Sequence, residues 1–129
     1  MKLNQFTLDV GDIARSKSFY LKLGFRLLVD SAHYCRFLAP DGDTTFSIHV
    51  ADAAITGGAT LYLETPDVDA EKTRLEALGV KFDTEARDES WLWRETTFRD
   101  PDGHRWKLYH AGKNRIDPPW RITPDGAQS

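Results

Sequence analysis

The sequence predicts an α+β protein built from two tandem βαβββ modules. Three observations predict it: a stretch that recurs at a constant offset, strand-period alternation ahead of a helical stretch in each copy, and a Pro-Asp-Gly turn late in each half. The first copy is Phe6-Thr-Leu-Asp-Val10, then Asp12, then helical periodicity to Leu23-Gly24-Phe25. The second is Leu61-Tyr-Leu-Glu-Thr65, then Asp67, then helical periodicity to Leu78-Gly79-Val80. Asp12 and Asp67 stand 55 positions apart, and so do Gly24 and Gly79.

Each element has a physical reason. Phe6, Leu8 and Val10 alternate with Thr7 and Asp9, and Leu61 and Leu63 alternate with Thr60, Tyr62 and Glu64, the period of a strand with one buried face. Asp12 and Asp67 are placed to cap helix N-termini with a carboxylate, and Gly24 and Gly79 to end the helices in a left-handed residue. Ile13, Tyr20 and Leu23 recur as Val68, Leu75 and Leu78, an apolar stripe on each helix. Three strands are expected after each helix, over about 25–30, 33–39 and 44–51, then 80–86, 91–98 and 104–110. The turns Pro40-Asp-Gly-Asp43 and Asp100-Pro-Asp-Gly103 join the last pair in each half. Residues 1–111 are expected to form a single domain, with modules of about 3–51 and 58–111, a linker over 52–57 and a polar tail over 112–129 that lacks helix or strand signals.

Composition narrows the function. The chain has 129 residues, 40% hydrophobic and 29% charged, with a formal net charge of −3, so it offers no basic field for nucleic acid phosphates. No apolar run approaches the roughly 20 residues of a membrane span. The sequence runs from Met1 straight into the first alternation and has a lone cysteine, Cys35, which predicts a cytoplasmic protein with a buried structural thiol.

The motif Val10-x-Asp12-x-x-x-Ser16-x-x-Phe19-Tyr20, followed by Leu23-Gly24-Phe25, together with Phe98-x-Asp100-Pro-Asp-Gly103, resembles the vicinal oxygen chelate superfamily of glyoxalases, bleomycin-resistance proteins and extradiol dioxygenases. The resemblance spans about residues 3–110 and leans toward the bleomycin-resistance branch. It implies a curved mixed sheet around a cleft, helices on the outer face, and a homodimer with pockets made from both chains. It also implies four metal-ligand positions, which fall here on Gln5, Phe46, Thr60 and Lys107. Phe46 offers no donor, Thr60 is a weak one and the Lys107 ammonium repels a cation, so no metal and no other cofactor is expected.

Strand parity places Thr7, Asp9, Ile48, Tyr62, Glu64 and Tyr109 on the same faces as those four. The ligand-binding set expected from the sequence is therefore Gln5, Thr7, Phe46, Ile48, Thr60, Tyr62, Glu64, Trp91, Trp93, Lys107 and Tyr109. This mixture of aromatic walls and a few polar groups suits an organic ligand. Asp9 and Glu64 point to a cationic or hydrogen-bonding one, and a lysine ion pair with Glu64 or Asp9 is expected. Trp91 and Trp93, two apart on one expected strand, either stack on a planar ligand or plug a dimer interface. His49 and His110 are expected on the helix side, and His33 and His104 at the surface.

The expected function is a metal-independent binding protein that sequesters or carries an organic, antibiotic-like, cationic or aromatic molecule, and the reading leans away from an enzyme. The alternatives are an enzyme, either metal-dependent with displaced ligands or metal-free with Lys107 or Glu64 as acid or base, and a regulatory partner whose cleft is filled by another protein.

Overall fold

The computed structural model describes residues 1–55 and 59–122. Its elements run β1 (Gln5–Val10), α1 (Ile13–Lys22), β2 (Arg26–Asp30), β3 (Tyr34–Leu38), β4 (Thr45–Val50), β5 (Thr60–Glu64), α2 (Val68–Ala77), β6 (Arg87–Asp88), β7 (Arg94–Arg99) and β8 (Arg105–His110). They build two four-stranded sheets, ordered β1-β4-β3-β2 and β5-β8-β7-β6. In each sheet the strand before the helix pairs in parallel with the last strand, and antiparallel hairpins complete it. This is the βαβββ module twice.

The offset of the repeat survives in the caps. Asp12 and Asp67 accept the backbone N–H groups of Arg15 and Ala70 at 2.9 and 3.0 Å, each satisfying a donor that the first helical turn leaves unpaired. Gly24 and Gly79 follow the helices with φ of 99° and 95°, a region that strains any residue with a Cβ.

The chain divides into two compact units: unit 1 is Met1–Ala59 with Arg99–His104, and unit 2 is Thr60–Phe98 with Arg105–Ser129. Unit 1 buries an aromatic cluster in which Phe6 stacks on Phe46 and Tyr20 meets Phe25, Phe37 and Phe46 edge-on or tilted. Each such ring taken from water is worth about 1.5–3 kcal/mol. Burying Tyr20 also buries its hydroxyl, which donates to Asp100 Oδ2 at 2.5 Å. The other oxygen of Asp100 accepts the backbone N–H groups of Asp102 and His104. Asp102 in turn accepts from Gly11 N, Arg15 and the Ser16 hydroxyl. His104 is buried, against the surface position expected, because its Nε2 reaches the Asp9 carbonyl at 2.7 Å. Cys35 is fully buried as expected.

Unit 2 packs Val68, Leu75 and Val80 beside Phe98, Trp106 and Leu108. Three expectations change here. The strand expected over 80–86 is reduced to a single bridge, Phe82 to Phe98, followed by the two-residue β6. Thr84 meets its neighbour through its side chain and its carbonyl, both at the Thr96 hydroxyl, instead of through a regular ladder. Leu78 is 44% exposed, so the apolar stripe of α2 stops at Leu75. The polar tail opens with a 3-10 turn, Gly112–Arg115, whose first backbone N–H groups Glu64 caps. The expected linker and tail otherwise fall partly on residues 56–58 and 123–129, outside the described residues.

Candidate functional site

Strand register decides which side chains share a face. In unit 1, β1 and β4 pair in parallel with Gln5 beside Thr45, Thr7 beside Ser47 and Asp9 beside His49. Phe46 and Ile48 therefore turn the other way and are fully buried in the core, not on the face that carries Gln5 and Thr7. His49, expected toward the helix, lies exposed on that open face. In unit 2, Tyr62 stands beside Lys107. Since Tyr62 follows Thr7 by the repeat offset, the counterpart of Lys107 is Ser47, not Phe46. The cause is one extra residue after the first turn: Ser47 is five past Gly42, and Lys107 is four past Gly103.

On the open face of unit 1, Gln5 Nε2 donates to Ser47 Oγ at 2.9 Å, and Ser47 Oγ lies 2.6 Å from the Tyr34 hydroxyl. The Gln5 amide oxygen is taken by the Thr45 hydroxyl. Arg36 Nε donates to the Tyr34 hydroxyl at 3.0 Å. The bond with Ser47 is the main cause that holds the Tyr34 phenol below its ordinary pKa; burial opposes it, and the hydrogen bond and charge of Arg36 add to the lowering.

In unit 2, Lys107 Nζ pairs with Glu95 Oε2 at 2.7 Å and sits 5.3 Å from the Tyr62 ring centre. This replaces the expected pairing with Glu64 or Asp9. Glu64 is drawn instead to the backbone N–H groups of Ala111 and Gly112 at 2.8 and 3.0 Å. Trp91 donates its indole N–H to Glu95 Oε1 at 2.6 Å. A cavity of about 280 Å³ opens over this pair, walled by Trp91, Thr84, Arg87, Glu89 and Arg105.

Trp91 and Trp93 do not lie on one strand as expected. They flank a tight turn closed by the Glu89 N–H to the Trp93 carbonyl at 2.8 Å, with Leu92 at φ 69°. Trp91 faces the cavity, whereas Trp93 stacks on Tyr109 with ring centres 4.6 Å apart and donates to the Asn114 carbonyl. Tyr109 is buried, and desolvation first, then the Glu64 charge, raise its phenol pKa. His110 is exposed at the end of β8 and bonds the Thr65 carbonyl, not the core.

The donor set does not fit a divalent metal. The positions implied for ligands carry an amide already engaged on both ends, two hydroxyls and an ammonium, where such ions want carboxylates or imidazoles. Among the described residues, no group of three or more His, Cys, Asp or Glu side chains is placed to hold one. The groups that sequence reasoning missed are Ser47, Tyr34, Arg36 and Glu95. Only Glu95 carries a sequence signal, by its alternation with Trp93 and Thr97.

A family model described as the Glyoxalase/Bleomycin resistance protein/Dioxygenase superfamily matches residues 2–108. Among solved structures, the chain is similar to a member of that superfamily from Sphaerobacter thermophilus DSM 20745, with 24% identity, 85% of this chain and 97% of that one covered, and a TM-score of 0.73. It is also similar to TioX from Micromonospora sp. ML1, with 20% identity, coverage of 86% and 99%, and a TM-score of 0.70. A lactoylglutathione lyase from Agrobacterium tumefaciens matches at 18% identity, coverage of 90% and 96%, and a TM-score of 0.73. No curated protein matches the chain. At these identities the solved structures report the fold alone.

Proposed function

This chain belongs to the glyoxalase/bleomycin resistance protein/dioxygenase superfamily, and from that membership we propose that it is a metal-independent protein that binds and sequesters or carries a small organic molecule. The observation that carries the reading is the Lys107–Glu95 pair, which puts an ammonium, already neutralised, at a position where the resemblance implies a metal ligand. Above it, the flat wall of Trp91 and a rim of charged groups suit a planar, polar, fragment-sized ligand. Lys107, Arg87 and Arg105 outnumber Glu95 and Glu89 around the cavity, which weights it toward an anionic or zwitterionic molecule in place of the cationic one that Asp9 and Glu64 suggested. The family resemblance adds a homodimer to the proposal, and the lone Cys35 adds a reducing, cytoplasmic setting.

The test is a panel of aromatic acids, amines and antibiotics, titrated against tryptophan fluorescence in the wild type and in Trp91→Phe. A saturable change that Trp91→Phe abolishes supports the reading. Stoichiometric metal in protein purified without chelators, lost on Gln5→Ala, sinks it, and so does a panel without a single ligand. A second reading, a metal-free acid–base enzyme, is favoured by the same pair, with Lys107 as acid and Glu95 in the place expected for Glu64. It requires exchange of an activated C–H proton of a carbonyl substrate in heavy water that Lys107→Met removes.

A further inference from the structure

We propose that Tyr34 and Arg36 form a second binding point, on the open face of unit 1, that takes the carboxylate of an organic acid. The proposal does not rest on the cavity beside Lys107.

It follows from the direction of a chain of hydrogen bonds. Gln5 Nε2 lies 3.1 Å from the Phe6 carbonyl, an acceptor without a proton, so the amide is fixed with its nitrogen on that side. The same nitrogen donates to Ser47 Oγ at 2.9 Å. Ser47 is fully buried, and among the described residues its only other polar partner is the Tyr34 hydroxyl at 2.6 Å. Its proton therefore goes to Tyr34, because the opposite arrangement leaves a buried hydroxyl proton without an acceptor. Arg36 Nε, which has only protons to give, donates to the same phenol oxygen at 3.0 Å.

The Tyr34 oxygen thus accepts twice, and its own proton is left to point outward. Tyr34 is half-buried and Arg36 is exposed, and the terminal nitrogens of Arg36 meet no acceptor among the described residues. An outward phenol O–H beside a guanidinium edge is a donor pair that matches two oxygens of a planar carboxylate. The lowered pKa of Tyr34 agrees with an oxygen that receives two hydrogen bonds. The other charged or titratable groups that register places on this face are His49, opposite Tyr34, Asp9, opposite His49, and Arg26, opposite Leu38.

The experiment uses full-length protein labelled with ¹³C at the tyrosine ring, with benzoate as probe and benzylamine as its cationic match. Benzoate is expected to shift the Tyr34 Cζ resonance saturably and to raise the Tyr34 titration midpoint, because an anion that accepts the phenol proton stabilises the neutral form. Benzylamine is expected to do neither. Tyr34→Phe should weaken benzoate about tenfold, the value of one hydrogen bond to a charged group, and Arg36→Gln by a similar factor. Ser47→Ala keeps the phenol proton and should raise the midpoint of the free protein. Equal benzoate affinity in the wild type and Tyr34→Phe overturns the proposal. So does a Tyr34 resonance and midpoint that benzoate leaves unmoved at saturating or solubility-limited concentration, a result read on the wild type alone.

Discussion

Lys107 Nζ lies 2.7 Å from Glu95 Oε2, while the other oxygen of that carboxylate receives the Trp91 indole N–H at 2.6 Å. Both charged side chains are largely covered, with 19% and 9% of their area exposed, so the pair is held in a setting where water screens it little.

Removing one partner should therefore leave the other charge covered and unpaired. Lys107→Met is expected to destabilise the fold by about 1–3 kcal/mol, below the range for fully buried pairs because the lysine keeps some water, and Glu95→Gln by a comparable amount. The double variant should lose less than the sum of the two. Urea unfolding of all four proteins measures it.

Tyr20→Phe deletes the donor to Asp100 Oδ2, a carboxylate of which only 5% is exposed. The expected loss is about 1–3 kcal/mol, since the ring stays and the oxygen loses a partner it cannot replace with water. Tyr62→Phe, at a tyrosine that is 50% exposed, should stay within about 0.5 kcal/mol. Thermal unfolding of the two variants side by side checks the contrast.

Tyr34 and Tyr109 should respond oppositely to alkali. Tyr34 has a folded pKa below its unfolded value, through its bonds with Ser47 and Arg36, so its contribution to stability is present above the unfolded value near 10 and is lost as pH falls through the folded one. Tyr109 has a folded pKa above its unfolded value, through burial and the Glu64 charge, so its contribution is present below about 10 and is lost as pH rises through the folded value. Tyrosine Cζ titrations should find Tyr34 ionising first and Tyr109 well after it.

Gly24→Ala and Gly79→Ala should cost nearly the same, about 1–2 kcal/mol each, from the left-handed backbone alone. A Cβ at Gly79 meets nothing within 4 Å, and one at Gly24 meets only Pro40 at ordinary contact distance, so packing adds little at either place. Chemical denaturation of both variants tests the symmetry.

Much of the fold is legible in the sequence because it is written in local physics. Asp12, Asp67, Gly24 and Gly79 act within their own helices, and the alternation of Phe6, Leu8 and Val10 needs only one buried face. The candidate site is less legible because it depends on pairings between strands. Counting from Gly42 aligned Phe46 with Lys107, and one extra residue in that turn moved every side chain of β4 to the opposite face. Glu95 and Tyr34 emerged only when register and a turn at Leu92 brought them to Lys107 and Ser47. Glu64, which looks like a pocket carboxylate by parity, is claimed by two backbone N–H groups of a turn that the tail sequence does not announce.

Unit 1 is discontinuous in the chain, since Arg99–His104 complete it after nearly all of the second βαβββ copy has passed. On a ribosome, that order matters: the first copy emerges complete in its strands and helix, yet the acceptors for Gly11, Ser16 and Tyr20 are still to be translated. The nascent first half must then wait, partly closed, for Asp100 and Asp102 to arrive and finish it. A chain that ends before residue 99 lacks both carboxylates, and with them the bonds that tie Gly11, Ser16 and Tyr20 to Arg99–His104.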